Sequence, residues 1–250
     1  MNAVAQPATP FRLAVLALAS LAAIAGLTSL GVWQLHRLAW KEDLIRRVDQ
    51  RIHAEPIPAP GPAQWPAVDA ANTEYLHVRL QGRYLHDRET LVQAVTVRGA
   101  GFWVMTPLQT ADGYIVLINR GVVSPPNKKA ESRAAGQIEG PTTVTGLLRM
   151  SEAGKGSPRS NDLTADRWYS RDVGTIAAAR GLQNVAPYFI DAAAVEPPVS
   201  GAPQGGLTVV TFPNSHLQYA LTWFALALMV AGGAFLVFRH EWRLRKRALS

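Results

Sequence analysis

The chain has 250 residues, of which 48% are hydrophobic and none is cysteine, a composition that leaves no thiol nucleophile, disulfide framework, iron–sulfur cluster or thiolate metal site. Its formal charge of +7 is concentrated at the ends: the last twelve residues carry a net +4, Arg12 adds one more, and only +2 is left for everything between. Such a distribution removes the main support for nucleic-acid binding and reads instead as a membrane-topology signal, in keeping with a mean hydropathy of +0.03.

In chain order, residues 1–12 form a short tail and Leu13 to Leu35 an uncharged apolar segment long enough to span a bilayer. A cleaved signal peptide is the competing reading, since Ala23-Ile24-Ala25 is an acceptable cleavage pattern, but the apolar character runs well past it. Trp33 and Trp40 sit as interfacial anchors, with Arg37 and Lys41 able to reach headgroups. Leu44, Ile45, Val48 and Ile52 keep helical spacing, so the helix is expected to continue until the Pro-rich run at residues 56–66, which reads as a stiff extended linker.

From Glu74 the period changes. Leu76, Val78 and Leu80 alternate with polar residues in a half-buried strand, where Gly82 marks a bulge or a close approach. Thr90 to Val97 is a second strand, and Asp112-Gly113 between Phe102 to Gln109 and Tyr114 to Val123 predicts a hairpin. The unbroken run Ile115-Val116-Leu117-Ile118 predicts burial on both faces. Pro125 to Glu139, with Lys128, Lys129 and Arg133, reads as an exposed charged loop with room for a helical turn. Thr142 to Arg149 is a further strand, and Glu152 to Asp162 a mobile loop. Asp172 and Gly181 bracket a short helix, and Tyr188 to Ile190 and Leu207 to Phe212 supply the last strands.

A second apolar segment, residues 214–238, leads into the basic tail 239–250. The fold class is therefore a membrane protein: two transmembrane α-helices flank a mainly antiparallel β (α+β) domain, residues 36–213. The positive-inside rule places both termini in the cytoplasm and the large loop on the periplasmic side of a bacterial inner membrane. His216, Tyr219 and Trp223 open the second span at helical spacing and share one face.

Gly31-Val32-Trp33-Gln34, Val78-Arg79-Leu80-Gln81-Gly82, Asn119-Arg120-Gly121, Trp168-Tyr169-Ser170-Arg171-Asp172, Phe189-Ile190-Asp191 and His216-Leu217 with Thr222-Trp223 fall in one order along nearly the whole chain. As an ordered set they resemble the SURF1 family of cytochrome c oxidase assembly proteins. The resemblance implies a non-enzymatic helper in building the haem–copper oxidase, acting around delivery or insertion of haem A into the large oxidase subunit. Its implied partners are that subunit, the haem A synthesis machinery and the lipid bilayer, and its implied haem ligand carries over onto His216.

Imidazole nitrogen is an axial ligand for haem iron, and Tyr219 and Trp223 could pack against a porphyrin plane. The alternative is an interfacial histidine among aromatic-belt residues. Two further expectations concern the end of the first span: His36 as a second ligand to the same iron, and Arg37 with Trp33 and Gln34 as a clamp for a haem propionate. Two rivals remain. One is a scaffold that stabilises an oxidase subunit without touching haem; the other, an anchored hydrolase, lacks a Gly-x-Ser-x-Gly elbow and a phosphate loop.

Overall fold

The computed structural model describes residues 8–154, 159–208, 210 and 212–248. It divides into two compact units, Met1–Arg47 with Thr211–Ser250, and Val48–Val210. Both apolar segments are helices: α1 runs over Pro10–His53 and ends just before the Pro-rich run, as its spacing predicts. The last helix runs over His216–Ala248 and is numbered α3 below. Each is long and apolar enough to cross a membrane, and its apolar stretch is almost wholly unburied. Phe11, Leu18, Leu228 and Phe235 stand fully out from the helix pair, an arrangement suited to lipid and costly in water. Two hydroxyls within the spans are satisfied locally, Ser29 donating to the Ala25 carbonyl at 2.7 Å and Thr222 to the Gln218 carbonyl at 2.9 Å.

The second unit is a seven-stranded sheet. Its strands are β1 (Ile57–Pro58), β2 (His77–Tyr84), β3 (Thr90–Thr96), β4 (Gly99–Gln109), β5 (Ile115–Val123), β6 (Pro141–Met150) and β7 (Val185–Ala192). They lie in the order β1-β2-β6-β7-β5-β4-β3, and an additional pairing of β2 with β4 closes β2, β6, β7, β5 and β4 into a ring. Closure is made where Arg83 and Tyr84 meet Gln109 and Leu108. Gly82 permits it, because a Cβ there would stand 2.4 Å from the Gln109 carbonyl oxygen. The sheet is antiparallel except at β5–β7 and β1–β2.

Alternation along β5 and β7 splits the core in two. Val116, Ile118, Tyr188 and Ile190 point into one cluster with Val78, Leu108 and Leu148. Ile115, Leu117 and Phe189 point the other way, against Trp168, Val173 and Ile176. The latter two belong to α2 (Val173–Ala179), whose N-terminus is capped by the Asp172 carboxylate accepting from Gly174 and Thr175. Gly181, at φ +63°, ends that turn in the left-handed region. A strand covered on both faces needs apolar residues at every position, which accounts for the run at 115–118.

Three expectations need revision. The Pro-rich run is extended only in its first half, since Pro62–Ala67 is a 3₁₀ helix, and it is docked: Ile57 and Pro58 pair parallel to β2, and the buried Pro60 carbonyl accepts from Tyr188 Oη at 2.7 Å and Trp65 Nε1 at 3.1 Å. An edge position tolerates proline because no N–H is required of it. The 125–139 segment is mostly exposed, as expected, but Arg133 and Gly136 within it are buried. It folds into two 3₁₀ turns, Pro125–Asn127 and Ala130–Gly136, with Arg133 only 3% exposed and ion-paired to Glu89. Finally, the expected strand at 207–212 is irregular at its described positions, and residues 209 and 211, like residues 155–158 of the 152–162 loop, lie outside the described residues.

Candidate functional site

The helix pair is built on a seam with alternating spacings of three and four. On α1, Ile24, Leu27, Gly31, Gln34, Leu38 and Lys41 are the less exposed positions, the repeat of a coiled-coil seam. On α3 the deepest positions are Ala220 and Ala227, at 1% and 7% exposure. Gly31 is the point of closest approach, since a Cβ there would stand 2.5 Å from the Phe224 ring. Small residues at such a contact let helices pack without help from water exclusion.

One turn further along the same seam lies its polar pair. His216 Nδ1 stands 2.8 Å from Gln34 Oε1, so the amide oxygen accepts and the ring carries its proton on Nδ1. That tautomer leaves the lone pair on Nε2. Metal-binding histidines share this arrangement, in which the second nitrogen donates to an acceptor that fixes both ring orientation and tautomer. The ring is half-buried, and the Ser215 carbonyl accepts from Tyr219 N at 3.2 Å to close the first turn of α3.

The other sequence-predicted residues divide. Trp223 follows His216 by nearly two full turns, lies on the same stripe and is half-buried. Tyr219 sits about 60° to one side and is 54% exposed. His36 is exposed and two residues beyond Gln34, about 200° round α1. The helix pair therefore does not bring His36 and His216 together. Nor is the expected propionate clamp assembled: Gln34 is engaged by His216, and the Arg37 guanidinium lies 4.0 Å over the Trp40 ring, an anchor's arrangement. Lys41 stands 5.1 Å from the Phe212 ring, tying the approach to α3 onto α1.

In the β unit, the densest polar cluster is one that no local sequence pattern announces. Asp191, on β7 and 5% exposed, accepts at Oδ1 from Asn119 Nδ2 (2.7 Å) and Arg171 Nη1 (3.1 Å), and at Oδ2 from Arg149 Nη1 (3.0 Å) and Thr208 Oγ1 (2.9 Å). Glu152 and Glu74 pair with the outer sides of Arg171 and Arg149. Burial alone would raise the Glu152 carboxyl, but hydrogen bonds and charge from Arg171 outweigh it and hold the group below its ordinary value. Two guanidiniums thus bridge three carboxylates, Asp191 between them and a glutamate on each outer side, and the geometry is that of a strut. It joins three strands, the 152 and 171 segments and the chain that leads on toward α3. Among the described residues, no three histidine, aspartate or glutamate side chains converge in a metal-binding group.

Comparison with known proteins places this arrangement. The SURF1 family matches residues 21–228, most of α1, the whole β unit and the first turns of α3. The chain belongs to the SURF1 family. A SURF1-like protein of Monosiga brevicollis is 37% identical over 221 residues, covering 83% of this chain and 82% of its own length. Surfeit locus protein 1 of Homo sapiens is 34% identical over 79% of this chain and 69% of its own length, and a SURF1-like protein of Drosophila melanogaster is 34% identical over 84% and 72%. The SURF1 match takes in both Gln34 and His216, and all seven residues of the Asp191 cluster.

Proposed function

We propose that this SURF1-family chain is an assembly factor for haem–copper cytochrome c oxidase that receives haem A as cargo on His216 and assists its passage to the large oxidase subunit. The observation that carries the reading is the 2.8 Å contact between His216 Nδ1 and Gln34 Oε1. An interfacial histidine with no further role would be expected to turn both nitrogens toward headgroups and water. Here the Nδ1 proton is committed to the neighbouring helix, and Nε2 keeps the lone pair that iron requires.

Haem supplies an iron centre that accepts that lone pair, and an apolar plane suited to the edge of a bilayer. The chain's own residues supply orientation: Gln34 holds the ring, Gly31 sets the helix spacing that lets it do so, and Trp223 offers an indole on the same stripe. A single axial ligand from this chain suits transient handling better than permanent residence. The protein acts as a carrier, not as an enzyme. Its spans lie in the bacterial inner membrane with the β unit on the periplasmic side, a topology supported by the basic stretch Arg243 to Arg247 that ends α3.

The rival scaffold reading requires no haem ligand. The two separate in a strain whose own copy is replaced by His216→Ala. The carrier reading predicts that the variant accumulates in the membrane while oxidase haem content falls. Normal oxidase haem content at normal accumulation would leave the scaffold.

A further inference from the structure

A second site lies in the β unit, around the buried charges beside β5. Arg120 is 8% exposed and Arg133 is 3% exposed, whereas among the described residues the one carboxylate between them is that of Glu89, at 9% side-chain exposure. Glu89 is already engaged by Arg133 and by Thr106 Oγ1 at 3.1 Å. Arg120 donates from Nη2 to the Gly136 carbonyl and lies 4.8 Å over the Tyr84 ring. Its Nη1 finds no acceptor among the described residues. Two guanidiniums thus share one carboxylate, and one positive charge is left uncompensated in the interior.

Nη1 itself is covered, but other parts of Arg120 border open space. Arg120 forms part of the wall of a cavity of about 300 Å³, together with Tyr84, Ile138, Val199, Pro203 and Arg98. Most of that wall is apolar. Glu196 stands on the rim, solvent-exposed, and leaves Arg120 Nη1 unsatisfied. Arg98 is exposed at the mouth and adds a second cation. An apolar cavity of small-ligand size with a buried, acceptor-less guanidinium in its wall is complementary to one chemistry.

We propose that this cavity binds a small organic monocarboxylate, its carboxylate on Arg120 with Arg98 at the mouth, and its apolar body against Ile138, Val199 and Pro203. The anion cancels the surplus charge from the cavity side of the guanidinium. Guanidinium is the suitable recognition group because it is permanently charged and presents donors in the plane of a carboxylate. This site is independent of His216 and of the haem reading.

The test uses the full chain in detergent with 3-methylbutanoate as probe and 3-methylbutan-1-ol, the same apolar body without the charge, as control at equal ionic strength. Binding is read by titration calorimetry and as a rise in the melting temperature of the β unit. The expected result is saturable binding of the acid, at least tenfold tighter than of the alcohol, and lost in Arg120→Met. Should Arg120→Met fail to fold, Ile138→Trp, at a position already 44% exposed, fills the cavity and is expected to weaken binding at least tenfold. Equal binding of acid and alcohol, no binding of the acid, or binding that survives Ile138→Trp would each overturn the proposal.

Discussion

Asp191→Asn is the most informative single change in the β unit, because it alters charge without altering shape. The carboxylate is 4% exposed and each of its oxygens accepts from two donors. In the amide, the oxygen can keep Asn119 and Arg171, but the new NH₂ then points at Arg149 Nη1 and Thr208 Oγ1. The threonine hydroxyl can turn round and accept. The guanidinium, which has donors only, cannot. Arg149 and Arg171, at 17% and 12% side-chain exposure, would keep their charges against Glu74 and Glu152 alone. Breaking a buried pair by removing one partner costs about 3 to 5 kcal/mol. For a unit the size of Val48–Val210, each kcal/mol moves the melting temperature by about 2 to 4 °C. The expected loss is therefore about 6 to 20 °C, measured on the full chain in detergent by circular dichroism at a strand-dominated wavelength. A drop of under about 2 °C, less than a single kcal/mol would produce, would show that the cluster is not the strut described here.

Gly82→Ala should destabilise the β unit by about 1 to 3 kcal/mol, since its Cβ would meet the Gln109 carbonyl oxygen at 2.4 Å where the ring closes; urea unfolding monitored by tryptophan fluorescence measures it. The Glu152 carboxyl is held below its ordinary value in the folded state, so its contribution is present above the unfolded-state value of about 4.3 and is lost as pH falls through the lower folded-state value. Acid titration of wild type should therefore show a falling melting temperature below about pH 4.5, and Glu152→Gln should flatten that limb while lowering the plateau at neutral pH. Gln34→Leu keeps the apolar seam but removes the acceptor of His216 Nδ1, and is expected to weaken haem binding about 10- to 100-fold in spectroscopic titration, with little change in helix content.

Much of this molecule is legible in its sequence where the determinants are local. Both membrane-length helices follow from hydropathy, α2 from the cap at Asp172 and the stop at Gly181, and the β4–β5 turn from Asp112-Gly113, with Gly113 at φ +83°. The double burial of β5 is legible too, because continuous apolar residues have no polar face to offer solvent. Long-range pairings leave no such trace. β5 and β7 are parallel neighbours separated by β6 and α2 in the chain, and nothing local at Arg83 or Gln109 announces that β2 and β4 meet.

The polar interior is hidden for a related reason. Asp191 directly follows Tyr188-Phe189-Ile190 on a buried strand, a position where a carboxylate is tolerable only with partners, and those partners come from four distant segments. Arg133 resembles a surface cation because its neighbours Lys128 and Lys129 are hydrophilic, but its counter-charge, Glu89, lies 44 residues away. At the span pair, His216 stands out by its place at a membrane edge. Gln34 does not join Arg37 in a propionate clamp. As the polar residue next after Gly31 on the three-and-four seam, it faces α3 and not the headgroups.

Whether His216 holds haem is the central question. The decisive measurement is the absorption spectrum of the detergent-purified protein co-expressed with haem A synthesis, taken for wild type and His216→Ala at matched protein concentration, with His36→Ala alongside. A Soret band with the red shift of a formyl haem in wild type, retained in His36→Ala and lost in His216→Ala, is the predicted result. Wild type without haem under haem-replete conditions, or a band unchanged in His216→Ala, would contradict the carrier reading and return His216 to the aromatic belt of an ordinary membrane anchor.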